Sequence, residues 1–101
     1  MMKENNSDGG KNAMNDVLKR IEQYKVVPVV VLENTDHAAP LAKALTGGGL
    51  PCAEVTFRTA ADEASIRLMK QTCPEMLVGA GTVINMEQVE RALHAGAEFI
   101  V

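Results

Sequence analysis

The segment 53–59 reads Ala-Glu-Val-Thr-Phe-Arg-Thr and carries the side chains with the clearest chemical potential. In an extended strand alternate side chains point to opposite faces, so this spacing places Glu54, Thr56 and Arg58 on one face. A charge inside a packed sheet needs a partner. Two interpretations follow: a carboxylate that acts as general acid and base beside an arginine that binds an anion, or a structural Glu–Arg ion pair. The pattern alone favours neither.

A second candidate is the segment 79–83, Gly-Ala-Gly-Thr-Val. Its two glycines would let the backbone approach another group closely, and Thr82 would present a hydroxyl group there. The segment lacks both the GxGxxG pattern and the lysine of a phosphate-binding loop. An ordinary turn between a strand and a helix is the alternative interpretation.

The cysteines and histidines do not have the spacing of a metal site. Cys52 and Cys73 form no CxxC pair, and His37 and His94 form no HExxH motif. We therefore predict that the chain binds no metal, and that both cysteines are small, buried and reduced.

Four apolar runs, most of them rich in β-branched residues, recur at nearly even intervals along the chain. They predict strands over 26–32, 52–57, 76–80 and 98–101. The segments between them, and one before the first, have apolar residues at helical spacing. The predicted order is therefore α-βα-βα-βα-β. Pro28 removes a backbone donor from the first run and is typical of an irregular strand.

Capping residues stand at the boundaries of these elements. Predicted N-caps are Asn34 or Thr35, Thr59, and Asn85. Asn85 is followed three residues later by Gln88, as in a capping box, and the glycines of 47–49 and Gly96 stand where helices should stop. On the helices we expect solvated carboxylates at Asp62, Glu63, Glu87 and Glu90 and core methionines at Met69, Met76 and Met86.

Two stretches, AKALTGGGLPCAEV and ERALHAGAEFIV, read as copies of one helix–glycine–strand unit. Repetition of such a unit predicts a parallel sheet, either doubly wound or closed into a TIM barrel. A TIM barrel needs about 200 to 250 residues, so this chain corresponds to about half of one. Because the repeats stop inside an apolar run, we expect either a fragment or a half-barrel that a second copy completes.

Composition excludes several classes of protein. Hydrophobic residues make up 47% of the 101 residues and charged residues 23%, which is typical of a globular domain. A net charge of −3 and an aromatic content of 3% argue against binding to nucleic acid or to a membrane surface. No apolar run is long enough to cross a bilayer, and the polar residues 1–13 are predicted to be a disordered tail. We expect a cytoplasmic protein.

The motifs that follow one another along residues 14–101 are VVPVVVLEN, HAAPLAKALTGGGL, AEVTFRT, VGAGTV and AGAEFIV. Together they resemble the first half of the bacterial 2-keto-3-deoxy-6-phosphogluconate / 4-hydroxy-2-oxoglutarate (KDPG/KHG) aldolases. The resemblance implies a TIM (β/α)8 barrel, of which residues 14–101 would be the amino-terminal half. It also implies a homotrimeric class I aldolase of the Entner–Doudoroff pathway that needs no metal or cofactor. Such an enzyme cleaves a 2-keto-4-hydroxy acid to pyruvate and an aldehyde through a Schiff base.

The resemblance also assigns roles to residues at the motif positions. The motif EVT-x-RT places the general acid/base on Glu54 and an arginine that binds the pyruvate carboxylate on Arg58. The motif GAGT places a second carboxylate-binding group on Thr82. For Glu54 and Arg58 these roles agree with the interpretation from strand periodicity. Supporting positions are Thr56, Gly79 and Gly81.

No lysine of this chain matches the family's Schiff-base motif, which lies in the second half of the barrel. Lys3 and Lys11 are in the predicted tail. The others lie on predicted helices or just after one, where we expect them to stay solvated and protonated: Lys19, Lys25, Lys43 and Lys70. The 101 residues alone are thus expected to be inactive. The alternatives are a truncated half-barrel that binds an α-keto acid or only oligomerises, and a flavodoxin-like phosphate binder, which the missing glycine-rich anion loop disfavours.

Overall fold

The computed structural model describes residues 16–58 and 60–101, in which helices and parallel strands alternate. The elements are α1 (16–24), β1 (Val29–Val30), a short 3-10 helix (Thr35–His37), α2 (Ala38–Gly47), β2 (Cys52–Thr56), α3 (Ala60–Thr72), β3 (Leu77–Gly81), α4 (Met86–Ala95) and β4 (Phe99–Ile100). This order confirms the predicted α-βα-βα-βα-β. The predicted tail over 1–13 and the predicted N-cap Thr59 lie outside the described residues.

The four strands form one parallel sheet in the order β1-β2-β3-β4, as predicted for a barrel. One row of partners across the sheet is Val29, Glu54, Gly79 and Phe99. The next row is Val30, Val55, Ala80 and Ile100. Neighbouring residues of a strand point to opposite faces, so the two rows belong to opposite faces of the sheet. We call the face of the first row the inner face and that of the second row the outer face.

The hydrophobic core lies between the outer face and helices α2, α3 and α4. On the sheet side it contains Val55, Phe57 and Ala80. On the helix side it contains Ala38, Ala42, Ile66, Met69, Ala92 and Ala95. The alanines let the helices approach the sheet closely. Because these three helices pack on one face only, the layering is that of part of a barrel and excludes a doubly wound sheet.

The first strand is shorter than predicted. The predicted strand 26–32 is reduced to Val29–Val30, and its later start follows from Pro28, which has no N–H to contribute to the ladder. The Pro28 carbonyl still accepts a hydrogen bond from the Glu54 N–H at 2.8 Å, so pairing with β2 begins there. The other three strands lie within one or two residues of their predicted ends.

Local capping follows the sequence with one difference. The side chains of Asn34 and Asn85 accept hydrogen bonds from the backbone N–H groups of Asp36 and Gln88, both at 2.9 Å, and Gly96 ends α4 in the left-handed region. The Gln88 side chain does not return to Asn85, as a capping box requires, but accepts from the N–H of residue 84 at 2.8 Å. The prediction of a core role for Met86 is wrong, because it is 71% exposed at the start of α4.

Candidate functional site

Glu54 lies at the middle of the inner face, facing away from the helices. Its half-buried carboxylate reaches across to β3 and lies over the backbone of Gly81. A side-chain carbon built on Gly81 would overlap Oε2 of Glu54 and stand 2.9 Å from its Cδ. Glycine at 81 is therefore what allows the carboxylate to occupy this position.

Gly79, two residues before Gly81 on β3, likewise leaves space for a side chain from a neighbouring strand. A carbon built on Gly79 would overlap the ring of Phe99, its register partner on β4. Both glycines thus lie inside the strand rather than in the turn after it, and each receives a side chain from a neighbouring strand. No motif in the sequence marks Phe99 as a site residue. Its register opposite Gly79 becomes visible only once β3 and β4 are paired.

Thr56 completes the inner-face set on β2. It is 5% exposed and is the register partner of Gly81, so it stands beside the place where the Glu54 carboxylate lies. The structure therefore brings four of the predicted site residues together on one face, Glu54, Thr56, Gly79 and Gly81.

Arg58 follows β2 at the carboxyl end of the sheet, with its side chain exposed to solvent. Within residues 16–58 and 60–101, Arg58 and Glu54 form no ion pair with each other. The interpretation of these two residues as a structural Glu–Arg pair is therefore wrong.

The backbone of Arg58 is held by Asp62, which the sequence predicts to lie on a solvated helix face. That prediction is wrong, since Asp62 is 3% exposed and its Oδ2 accepts the Arg58 N–H at 2.9 Å. The spacing Thr59-x-x-Asp62, typical of a residue that caps the start of a helix, is the sequence signal that could have identified it.

Thr82 follows β3 at the same end of the sheet and is exposed. Its φ of 59° lies in the left-handed region, where a β-branched residue is a genuine outlier. Hydrogen bonds on either side hold this conformation: Phe57 N–H donates to the Gly81 carbonyl at 2.8 Å, and Val83 N–H donates to the Val101 carbonyl at 3.2 Å. Strained backbone of this kind clusters at functional sites.

The amino end of the sheet, opposite Arg58 and Thr82, contains a buried cysteine and an open cavity. Burial raises the pKa of the Cys52 thiol, with the charge of Arg20 opposing part of the shift, and its Sγ contacts the Val26 carbonyl at 3.4 Å. A buried protonated thiol is inert, in agreement with its predicted packing role. An open cavity of about 840 Å³ at this end is lined by residues that include Arg20, Tyr24 and Cys73. It is remote from Arg58 and Thr82.

The described lysines all lie away from the inner face. Lys19 is on α1, Lys25 follows it, and Lys43 is exposed on α2. Lys70, on α3, donates to Glu98 at 2.7 Å and to the carbonyls of residues 74 and 76. The prediction that all four stay solvated is therefore wrong for Lys70, which is held at the amino end of the sheet.

Among the described residues, no group of three or more His, Cys, Asp and Glu side chains could hold a metal ion. Within the same ranges no helix has the length and apolar character needed to cross a membrane.

A sequence model of the family described as KDPG and KHG aldolase matches residues 17–101. This chain belongs to the KDPG/KHG aldolase family. It is 46% identical over 85 residues to the 2-dehydro-3-deoxy-phosphogluconate aldolase of Treponema pallidum, covering 84% of this chain and 40% of that protein. It is 46% identical over 76 residues to the KHG/KDPG aldolase of Escherichia coli K12, covering 75% of this chain and 36% of that protein.

Solved structures agree with this assignment. The crystal structure of the Zymomonas mobilis ZM4 KDPG aldolase with 3-phosphoglycerate matches with a TM-score of 0.77 and 41% identity, over 86% of this chain and 41% of that one. The Legionella pneumophila KDPG aldolase, with pyruvate captured as a covalent carbinolamine, matches with a TM-score of 0.68 and 42% identity, over 73% of this chain and 36% of that one. These matches confirm the predicted barrel fold and the predicted lyase family. The chain spans about two-fifths of the length of the relatives it matches.

Proposed function

We propose that residues 16–101 form the half of a class I aldolase that transfers protons and binds the substrate carboxylate. Its substrate is a 2-keto-3-deoxy-6-phosphogluconate or 4-hydroxy-2-oxoglutarate type acid, and its products are pyruvate and an aldehyde. The observation that carries the proposal is the Glu54 carboxylate, which lies over Gly81 on the inner face with no ion-pair partner among the described residues. A carboxylate so placed is free to exchange protons with a bound substrate.

In the proposed reaction a lysine amine condenses with the C2 carbonyl of the substrate. The C4 hydroxyl gives its proton, through a water molecule, to Glu54 as the C3–C4 bond breaks. The electron pair of that bond moves into the imine, which releases the aldehyde and leaves an enamine. Glu54 then returns the proton to C3, and hydrolysis of the imine releases pyruvate.

Arg58 and Thr82 are proposed to bind the substrate carboxylate. They follow neighbouring parallel strands at the same end of the sheet, where catalytic groups of barrels collect. A guanidinium group can bind a carboxylate with two parallel hydrogen bonds, and the Thr82 hydroxyl can add a third. Both side chains are exposed and therefore accessible to a small anion.

The amine nucleophile is proposed to lie outside these 101 residues. An amine attacks a ketone at neutral pH only when desolvation or a neighbouring charge lowers its pKa. Lys70 instead donates to a carboxylate and two carbonyls at the amino end of the sheet, away from Glu54, Arg58 and Thr82. We therefore propose that the 101-residue chain binds an α-keto acid without forming an imine.

Borohydride reduction in the presence of pyruvate, followed by intact-mass measurement, tests this proposal. The 101-residue chain should keep its mass. A longer polypeptide, in which the remainder of the Escherichia coli relative follows Val101, should gain one reduced pyruvate adduct and release pyruvate from KDPG. In that polypeptide Glu54→Gln should slow pyruvate release roughly a hundredfold or more, while Glu90→Gln on the exposed face of α4 should not.

An adduct on Lys19, Lys25, Lys43 or Lys70 of the 101-residue chain would contradict the proposal. Full pyruvate release by the Glu54→Gln polypeptide would contradict the role of Glu54 alone. The placement of the described lysines also favours a second candidate function, a non-catalytic half-barrel that only binds an α-keto acid. An inactive longer polypeptide that still binds pyruvate would support this second candidate. A cytoplasmic location and a homotrimeric state remain predictions, and light scattering on the purified protein would test the homotrimer.

A further inference from the structure

Two neighbouring strand-to-helix turns on this sheet are closed by the same hydrogen-bond arrangement. After β2, Oδ2 of Asp62 accepts the N–H of Arg58 at 2.9 Å. After β3, Oε1 of Gln88 accepts the N–H of Ile84 at 2.8 Å. In each turn the acceptor lies in the first turn of the following helix, four residues after the donor. These are the two turns that carry the proposed carboxylate-binding residues.

The two turns differ in the chemistry and burial of the acceptor. Gln88 is a neutral amide that remains half-buried, whereas Asp62 is a carboxylate that is 3% exposed. The Gln88 turn shows that a neutral acceptor is enough to build this geometry. An aspartate at 62 makes this a charge-assisted hydrogen bond at the turn that bears the arginine.

This bond and the backbone hydrogen bond before it hold the chain on the amino-terminal side of Arg58. The N–H of Phe57 donates to the Gly81 carbonyl at 2.8 Å, and the Phe57 ring is buried in the core. The next N–H, that of Arg58, is held by Asp62. Two successive amides are thus anchored to different elements, β3 and α3. These two bonds restrict the backbone that carries the Arg58 side chain, which reduces the entropy lost when the guanidinium binds an anion.

We propose that Asp62 is a positioning residue for the substrate carboxylate. Its buried carboxylate fixes the backbone of Arg58, so that the guanidinium is presented beside Thr82 at the carboxyl end of β2 and β3. This role rests on the proposed function of Arg58. Asp62 itself does not touch the substrate.

The test compares four variants of the 101-residue chain by two NMR measurements: amide hydrogen exchange at Arg58, and the dissociation constant of pyruvate. The variants are Asp62→Ala, Asp62→Asn, Arg58→Ala and Ser65→Ala. Ser65 is the matched control, because it is buried on the same helix and its hydroxyl has no hydrogen-bond partner among the described residues. Asp62→Asn keeps an oxygen acceptor with the same shape.

We expect the Arg58 amide to exchange at least tenfold faster in Asp62→Ala than in the original chain, and to stay protected in Asp62→Asn and Ser65→Ala. The pyruvate dissociation constant should rise roughly fivefold in Asp62→Ala, as expected for one lost hydrogen bond, and at least as much in Arg58→Ala. It should stay within about twofold of the original in the Asn and Ser65 variants, so that rescue by asparagine identifies the hydrogen bond as the cause.

Distinct results would overturn the two proposals. Two results would overturn the positioning role alone. One is an Arg58 amide that is unprotected in the original chain. The other is an Asp62→Ala variant that binds pyruvate as tightly as the original chain while Arg58→Ala binds it more weakly. If Asp62→Ala does not fold, the Asp62→Asn variant tests the positioning role instead. A large loss of pyruvate affinity in this variant, with the Arg58 amide still protected, would overturn the role of the hydrogen bond. Absence of pyruvate binding by the original chain, or an unchanged affinity in Arg58→Ala, overturns the proposed function and the positioning role with it.

Discussion

Glu54 and the glycine beside it form a unit at the scale of single residues. The Glu54 carboxylate occupies space that any larger residue at 81 would fill, and the Phe99 ring occupies the corresponding space over Gly79. Thr82, the next residue after Gly81, is held in a left-handed conformation that costs a β-branched residue free energy. Two predictions test these local constraints.

Gly81→Ala should lower the free energy of unfolding by about 1 kcal/mol, because the new methyl group displaces the Glu54 carboxylate. In a Glu54→Ala background the same substitution should cost nothing, so a double-mutant cycle measured by urea unfolding should show the coupling. Gly47→Ala is the control: it has open space around it within α2 and should stabilise the chain by about 0.5 to 1 kcal/mol. An equal cost of Gly81→Ala in both backgrounds would contradict the proposed contact.

Thr82→Gly should raise the free energy of unfolding by up to about 1 kcal/mol, because relief of the left-handed strain outweighs the added flexibility of the unfolded chain. Thr82→Ser is not β-branched but keeps the hydroxyl and the positive φ. Its free energy of unfolding should lie between those of the original chain and Thr82→Gly. Urea unfolding measures both variants. A loss of stability in Thr82→Gly would show that the side chain, rather than the backbone conformation, stabilises this turn.

At the scale of elements, helices α3 and α4 are joined by a charged group on their exposed side. Glu63 on α3 contacts Arg91 on α4 at 2.7 Å and Arg67 at 3.5 Å, and Arg91 lies over the Phe57 ring at 5.7 Å from its centre. The hydrogen bond from Arg91 lowers the pKa of Glu63, the charges of both arginines add to this, and partial burial opposes it. The pair therefore connects two helices to the end of β2.

The lowered pKa of Glu63 predicts a pH-dependent contribution to stability. The contribution is fully present above the ordinary glutamate pKa of about 4.3, and it is lost as the pH falls through the lower native value. Glu63→Gln should therefore reduce the free energy of unfolding at pH 7 by roughly 0.5 to 1 kcal/mol, and by progressively less as the pH falls below about 4. Urea unfolding across this pH range measures the difference in the free energy of unfolding, and the exposed Glu90→Gln is the control. A deficit that stays constant with pH would contradict the pairing.

At the scale of the whole molecule, the sheet has two outer strands, β1 and β4, each paired on one side only among the described residues. Large apolar side chains are exposed along them and on nearby turns: Val26, Val29, Val31, Ile84 and Val101. An unpaired strand edge with apolar side chains is a template for pairing with another chain.

The 101-residue chain should therefore self-associate as its concentration rises. Val31→Lys, at a position 59% exposed just after β1, should reduce this association, since a charged residue blocks edge pairing. Leu18→Lys changes a residue of similar exposure, 52%, on α1, which is not at a sheet edge, and should have little effect. Sedimentation velocity measures both. An equal effect of the two substitutions would assign the association to general hydrophobicity instead of the open edge.

The sequence alone was enough to predict the order of the elements, their parallel pairing and the family. It also placed Glu54 and Thr56 on the face opposite Val55 and Phe57, as the structure has them. These features depend on local periodicity and on short motifs, which are written along the chain itself.

Only the tertiary structure decided what each of these side chains meets. The placement of Glu54 over Gly81 and of Phe99 against Gly79 depends on the register between neighbouring strands. The ion pair between Lys70 and Glu98 depends likewise on which ends of α3 and β4 meet. Periodicity determines the face on which a residue lies. The partner on that face comes from a strand or helix some twenty or more residues away, and its identity is decided only when the chain is packed.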